Sequence, residues 1–125
     1  MQLSSRQLAD VFVAAPVGRI DHPSAEGLKT ALAPILDASA DHGKGLILDF
    51  SGVEYICSMG LRVLLMASKQ LRARKVRIGV AALQPVVKEI FDIARFNHVL
   101  EVFPTVRAAL EQVSPSALAA YDAAG

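Results

Sequence analysis

The chain has 125 residues, 53% hydrophobic and 20% charged, which is the size and make-up of one globular domain and excludes a largely disordered chain. Thirteen Lys and Arg against twelve Asp and Glu leave a formal charge of +1, without the basic excess or stripe of a nucleic-acid binder. A lone cysteine, Cys57, cannot close an internal disulfide, and no Cys/His spacing points to zinc.

The first residues, Met1 to Arg6, lack the apolar core of a secretory signal. No uncharged apolar run approaches the ~18–20 residues of a membrane span. The expectation is a cytoplasmic domain with no membrane insertion. Residues 8–20 are rich in β-branched and aromatic types and are punctuated by Pro16 and Gly18. They read as one or two strands with a tight turn at Ala15–Pro16. Ser24 is placed to cap a following helix, in which Leu28, Leu32, Ile35 and Leu36 recur at helical spacing to about Ala40. Pro34 kinks that helix or occupies a permissive surface site.

After a turn at Asp41–Gly45, Leu46 to Phe50 reads as a buried strand, because it is short and nearly all apolar. Ser51 to Ile56 reads as a loop. A helix from about Met59 to Arg74 is the clearest element. Val76 to Ala81 is another short strand, and Gln84-Pro85 opens a helix reaching about Ile93. Val99 to Val102 is read as the last strand, and a helix from Pro104 or Thr105 closes near Val113. The Ala/Ser-rich stretch 114–125 reads either as a frayed tail or as an extension of that helix. Residues 1–113 thus form one domain with residues 114–125 as its tail. Helix–strand alternation implies an α/β layer fold with right-handed crossovers.

Most catalytic motifs are absent: there is no phosphate loop, dinucleotide fingerprint or nucleophile elbow. His22, His42 and His98 lie far apart in predicted loops, where solvated side chains are the simpler reading. Asp21 and Asp49 end predicted strands, where caps and turns ordinarily account for a carboxylate. The informative stretch runs from Leu48 to Arg62. Ser58 stands immediately before the strongest helix, where a hydroxyl caps free N–H groups. A phosphate there would meet the same N–H groups and the positive end of the helix dipole.

These residues resemble the STAS family, the domain of sulfate transporters and anti-sigma-factor antagonists. Cys57-Ser58-Met59-Gly60-Leu61 is similar to the family's Asp-Ser-Ser-Gly-Leu at the start of a helix. Gly18-Arg19-Ile20-Asp21 resembles its Gly-x-Leu-Asp, Leu83 to Val87 its third helix start, and Phe91 with Phe96 to Val106 its closing strand–helix unit. The likeness spans roughly residues 8–113. It implies a STAS-like fold with a mixed central sheet of four to five strands and about four helices, packed mainly on one face. It also implies a switch protein that binds an anti-sigma factor, itself a serine kinase, and is restored by a serine phosphatase. On this likeness Ser58 is the phosphorylation site, with Asp21, Cys57 and Gly60 as its neighbours. Two departures stand out: Cys57 replaces the acid before the acceptor, and Met59 replaces the serine after it.

The helix from Met59 carries a second indication. Gly60, Leu61, Leu64, Leu65, Ala67 and Leu71 gather on one side as a core stripe. Met59, Val63 and Met66 gather on the other, among Arg62, Lys69 and Gln70, as an adaptable apolar patch rimmed by positive charge. Met59, Arg62, Val63, Met66 and Lys69 are therefore expected to bind a partner, unless the tail or a neighbouring element covers them. Lys69, Arg72, Arg74, Lys75 and Arg77 read as a solvated basic helix end. The expected function is binding without catalysis and without a cofactor, the ATP belonging to the kinase. The alternative keeps the fold and makes the domain a constitutive subunit of an ABC-type transporter ATPase, with Ser58 only a cap. An enzyme using Asp21, Asp49 or Cys57 is the remote rival. A homodimer through the exposed stripe is left open.

Overall fold

The computed structural model describes residues 1–124. Its main sheet has five strands in the order β1-β2-β4-β6-β7: β1 (Leu3–Leu8), β2 (Val11–Pro16), β4 (Gly45–Asp49), β6 (Arg77–Ala81) and β7 (Glu101–Phe103). β1 runs antiparallel to β2, and the remaining pairings are parallel. A second, two-stranded parallel sheet joins β3 (Gly18–Ile20) to β5 (Val53–Ile56). The helices are α1 (His22–His42), α2 (Ser58–Ala73), α3 (Pro85–Ile93), α4 (Val106–Val113) and α5 (Pro115–Ala123). The α/β class and mixed sheet are those expected, and a fifth helix is added.

Side chains alternate across the sheet and divide the core. Ala14, Leu46, Leu48, Ile78 and Val80 face α1, α2 and α3 in the larger cluster. There Phe91 meets Phe50 and Phe96 edge-on, with ring centroids 6.3 and 5.2 Å away. Val11, Val13, Ile47 and Ala81 face α4 and α5 on the opposite side.

Four local expectations are corrected. Residues 3–8 form an edge strand that their polar sequence conceals. Four of the six are exposed, and the pairing to β2 supplies the order. The tight turn lies at Ala9–Asp10, with Ala9 at φ 54°, rather than at Ala15–Pro16. Ser51 to Ile56 contains β5, a strand too short to show a period, held by its pairing to β3. The last strand begins at Glu101 rather than Val99, because Phe96 to His98 form a 3₁₀ turn.

Residues Pro115–Ala123 form a separate helix, because Ser114 caps α5 by accepting from the Ala117 N–H and its own extended backbone interrupts α4. The Ser114 hydroxyl also bonds Asp10. Arg107 binds Asp122 of α5 while pairing with Glu111 of α4, and the Arg6 guanidinium lies 5.2 Å over the Tyr121 ring. Arg77 grips Glu101 with two hydrogen bonds and donates to the Gln112 carbonyl, tying β6 to β7 and α4. Pro34 sits exposed within α1, the permissive surface site foreseen for it.

Gly60 allows α2 to lie against the small sheet. A Cβ there would come within 2.7 Å of both Ile20 and Ile56, which are buried and have no room to give. Gly60→Ala is therefore expected to cost about 1–3 kcal/mol by overpacking, although alanine is the better helix former. Urea unfolding followed by circular dichroism checks this through a lower midpoint at unchanged slope.

Candidate functional site

The β3–β5 pairing builds the site. Its register sets Ile20 beside Ile56, and the next residue of each strand, Asp21 and Cys57, starts a helix. The Cys57 N–H donates to the Ile20 carbonyl at 2.9 Å. Two helix N-termini therefore open at one edge of the molecule, each with free N–H groups and a positive dipole end.

The caps differ from those expected from sequence. Asp21, not Ser24, caps α1. The Asp21 carboxylate accepts from the Ser24 N–H at 3.1 Å and from the Ser24 hydroxyl at 2.7 Å, while that hydroxyl faces the Asp21 N–H at 2.9 Å, a reciprocal capping box. Cys57, not Ser58, is the cap position of α2. Its N–H belongs to the strand ladder, so its backbone is extended (φ −92°, ψ 175°) and the helix begins one residue later. The first helical bond runs from the Leu61 N–H to the Cys57 carbonyl. Cys57 is half-buried and makes no side-chain cap bond. Ser58 is the exposed first residue of α2, and its hydroxyl has no hydrogen-bond partner among the described residues. Reading Ser58 as an N-cap is thus overturned by the backbone of its neighbour. Its hydroxyl is free.

From this edge a groove of about 810 Å³ runs between α1 and α2. Met59, Arg62, Val63 and Met66 form one wall, and Met59 and Met66 are 40% and 61% exposed. Among the described residues the C-terminal helix α5 does not cover them, since it packs on the other side of the main sheet. Lys69 is exposed on α2 but does not line the groove. The opposite wall was missing from the sequence reading: Glu26, Lys29, Leu32, Ala33 and Leu36 of α1. In sequence Leu32 and Leu36 read only as part of a helical repeat, and the only signal of a wall is the small residue at 33 beside them. Three of the five cations of the basic helix end are engaged: Arg72 donates to the Val99 carbonyl, Arg74 meets Asp41, and Arg77 holds Glu101.

Of the remaining candidates, His22 lines the α1 end of the groove and the others lie outside it. Asp49 accepts from the Ser51 N–H, as a turn carboxylate does. His22 and His42 occupy opposite ends of α1, and His98 ends the 3₁₀ turn. Among the described residues, no three His, Cys, Asp or Glu are grouped to hold a metal ion, and no helix is long and apolar enough to cross a membrane.

Comparison with known proteins places these features in context. Residues 2–109 match the family model described as the STAS domain. BtrV of Bordetella bronchiseptica, named as a candidate anti-sigma factor antagonist, is 34% identical over 105 residues, covering 83% of this chain and 84% of its own. The crystal structure of an anti-sigma factor antagonist from Mycobacterium paratuberculosis superposes with a TM-score of 0.77 at 25% identity, over 90% of this chain and 94% of that one. Unphosphorylated SpoIIAA, an anti-sigma factor antagonist, shares the fold with a TM-score of 0.73 at 17% identity, over 90% and 96%. The Bacillus protein is also known in a phosphorylated form.

Hydrogen bonds from the Ser24 hydroxyl and N–H hold the Asp21 carboxyl below its ordinary pKa, and the Ser114 hydroxyl does the same for Asp10. Below about pH 4 the unfolded chain binds these protons more readily than the folded one. The stabilisation is therefore full above the ordinary aspartate pKa and is lost as pH falls through the folded value. Asp21→Asn keeps a capping oxygen but does not titrate. Its melting temperature is expected to fall less steeply than that of wild type on acidification below about pH 4, measured by circular dichroism.

Proposed function

The chain belongs to the STAS domain family, and from that premise we propose that it is an anti-sigma-factor antagonist, a protein-binding switch set by reversible phosphorylation of Ser58. The observation that carries this reading is the free Ser58 hydroxyl at the first position of α2, beside the exposed Met59–Val63–Met66 face. A capping serine would have its hydroxyl engaged; this one is available to a kinase. A phosphate on it would face the free N–H groups of the first turn and would lie one turn from Arg62, on the same side of the helix. Arg62 is exposed and has no ion-pair partner among the described residues. The modified state is thus locally stabilised by charge-assisted hydrogen bonds rather than unfolded.

The unmodified face offers two methionines and a valine to an anti-sigma factor that also acts as the serine kinase. Phosphorylation adds roughly two negative charges at the edge of that face and releases the partner. A serine phosphatase restores binding. Relatives named as anti-sigma factor antagonists, and the phosphorylated and unphosphorylated forms of SpoIIAA, support the reading. Cys57 stands where the family pattern has an acid, so the acceptor lacks an adjacent negative charge, and the partner kinase must recognise it without that charge. Asp21 follows Ile20 as Cys57 follows Ile56 in the strand register, and it is already engaged in capping α1. The site acts by binding, and the localisation expected of such a switch is the cytoplasm.

Two measurements test the switch. Phosphopeptide mapping of the protein purified from its native host is expected to find phosphate on Ser58. Affinity purification with wild-type and Ser58→Asp baits is expected to capture a serine-kinase-type anti-sigma factor with the wild type only. An unmodified Ser58 together with equal capture of one transporter ATPase by both baits would overturn the switch in favour of a constitutive subunit.

A further inference from the structure

The α1–α2 groove has features that a flat protein-docking face does not require. It is concave, and its volume of about 810 Å³ lies within the range of sites that enclose a small molecule. From Met59 to Gln70 it follows α2 for about 16 Å at the helical rise of 1.5 Å per residue. Its apolar lining is aliphatic and thioether, with Ala33, Met59, Val63 and Met66 offering open surface beside the buried Leu32 and Leu36. Its charge is polarised. Toward the helix starts the lining carries His22, Arg62 and Lys29 with one carboxylate, Glu26; at the far end Asp37 stands without a cation in the lining. Neither Arg62 nor Lys29 has an ion-pair partner among the described residues.

We propose that this groove binds a monomeric long-chain fatty acid, its carboxylate held by Arg62 and Lys29 and its acyl tail lying along α2 towards Leu36. The groove follows α2 for about 16 Å, a length that suits an extended acyl chain. Asp37 at the far end sets the direction, because a carboxylate placed beside it would be repelled while an alkyl end is not. The methionines Met59 and Met66 adapt their unbranched side chains around a flexible tail. Binding itself does not depend on phosphorylation of Ser58. One consequence does rest on the proposed switch: an acyl ligand would occupy Met59, Val63 and Met66, the face offered to the protein partner, and a phosphate on Ser58 would compete for Arg62.

The test uses the unmodified full chain and dodecanoate below its micelle concentration, followed by amide chemical shifts in ¹⁵N-labelled protein. Saturable shifts confined to α1 and α2 are expected. Ala33→Trp, which fills the groove from an exposed position, and Met66→Glu, which puts a carboxylate in the tail channel, are each expected to weaken binding by at least about tenfold. Arg62→Glu should weaken it to a similar degree, and uncharged dodecanol should bind more weakly than dodecanoate. Unfolding midpoints near wild type certify the variants as folded; if one unfolds, the other two carry the comparison. Absence of shifts, or shifts spread over the whole surface, would overturn the site. So would concentration-dependent broadening of the same resonances without ligand, which would put a second copy of the chain in the groove.

Discussion

Two short parallel strands outside the main sheet decide where everything at the working edge lies. The Cys57 N–H bonds the Ile20 carbonyl, and the next residue of each strand turns into a helix. Because that N–H is spent in the ladder, Cys57 stays extended and α2 cannot begin before Ser58. The side chain at the first helical position then points away from capping duty. Gly60 completes the constraint from the other side, since any side chain there would collide with Ile20 and Ile56 and push α2 off the pair. Gly18, at φ 105°, is the hinge by which the chain leaves β2 and enters the small sheet, a backbone conformation that costs glycine little.

The same constraint produces the groove. Two helices start side by side from adjacent parallel strands, and the flanks that line the groove between them carry short or flexible residues, Ala33 on α1 and Met59 and Met66 on α2. Larger rigid side chains on both flanks would have closed the space. Apolar surface left open in this way is unusual on a small domain and is where binding energy is available. The other side of the main sheet is finished differently. There α4 and α5 cover Val11, Val13 and Ile47, held by Ser114 on Asp10, by Arg107 between Glu111 and Asp122, and by Arg6 on Tyr121. One side is sealed by polar clips over a small core. The opposite side presents a hydroxyl, a cation and an apolar channel together.

Much of this was legible in the residues. The apolar run Leu46 to Phe50 announced β4, Pro85 announced α3, and the periodic leucines from Leu61 to Leu71 announced α2 and its buried side. The exposed stripe of Met59, Val63 and Met66 followed from the same period, as did Ser58 at the helix start. What escaped was short or borrowed its order from a distance. β1 is polar and exists because β2 pairs with it; β5 has four residues and exists because β3 does; α5 was hidden in an alanine-rich stretch whose one structural cue, Ser114 before Pro115, reads equally well as a loop.

Sequence alone determined the α/β class, the resemblance to the STAS family, the serine at the head of α2 and the apolar face beside it, because each rests on spacing along one element. Tertiary structure decided which atom caps which helix, freeing the Ser58 hydroxyl, and which second wall turned an apolar stripe into a channel. Those outcomes depend on one strand's N–H meeting another strand's carbonyl, and on Ala33 of α1 and Met66 of α2 lining one groove. Periodicity within a single segment carries no information about a partner some thirty residues away.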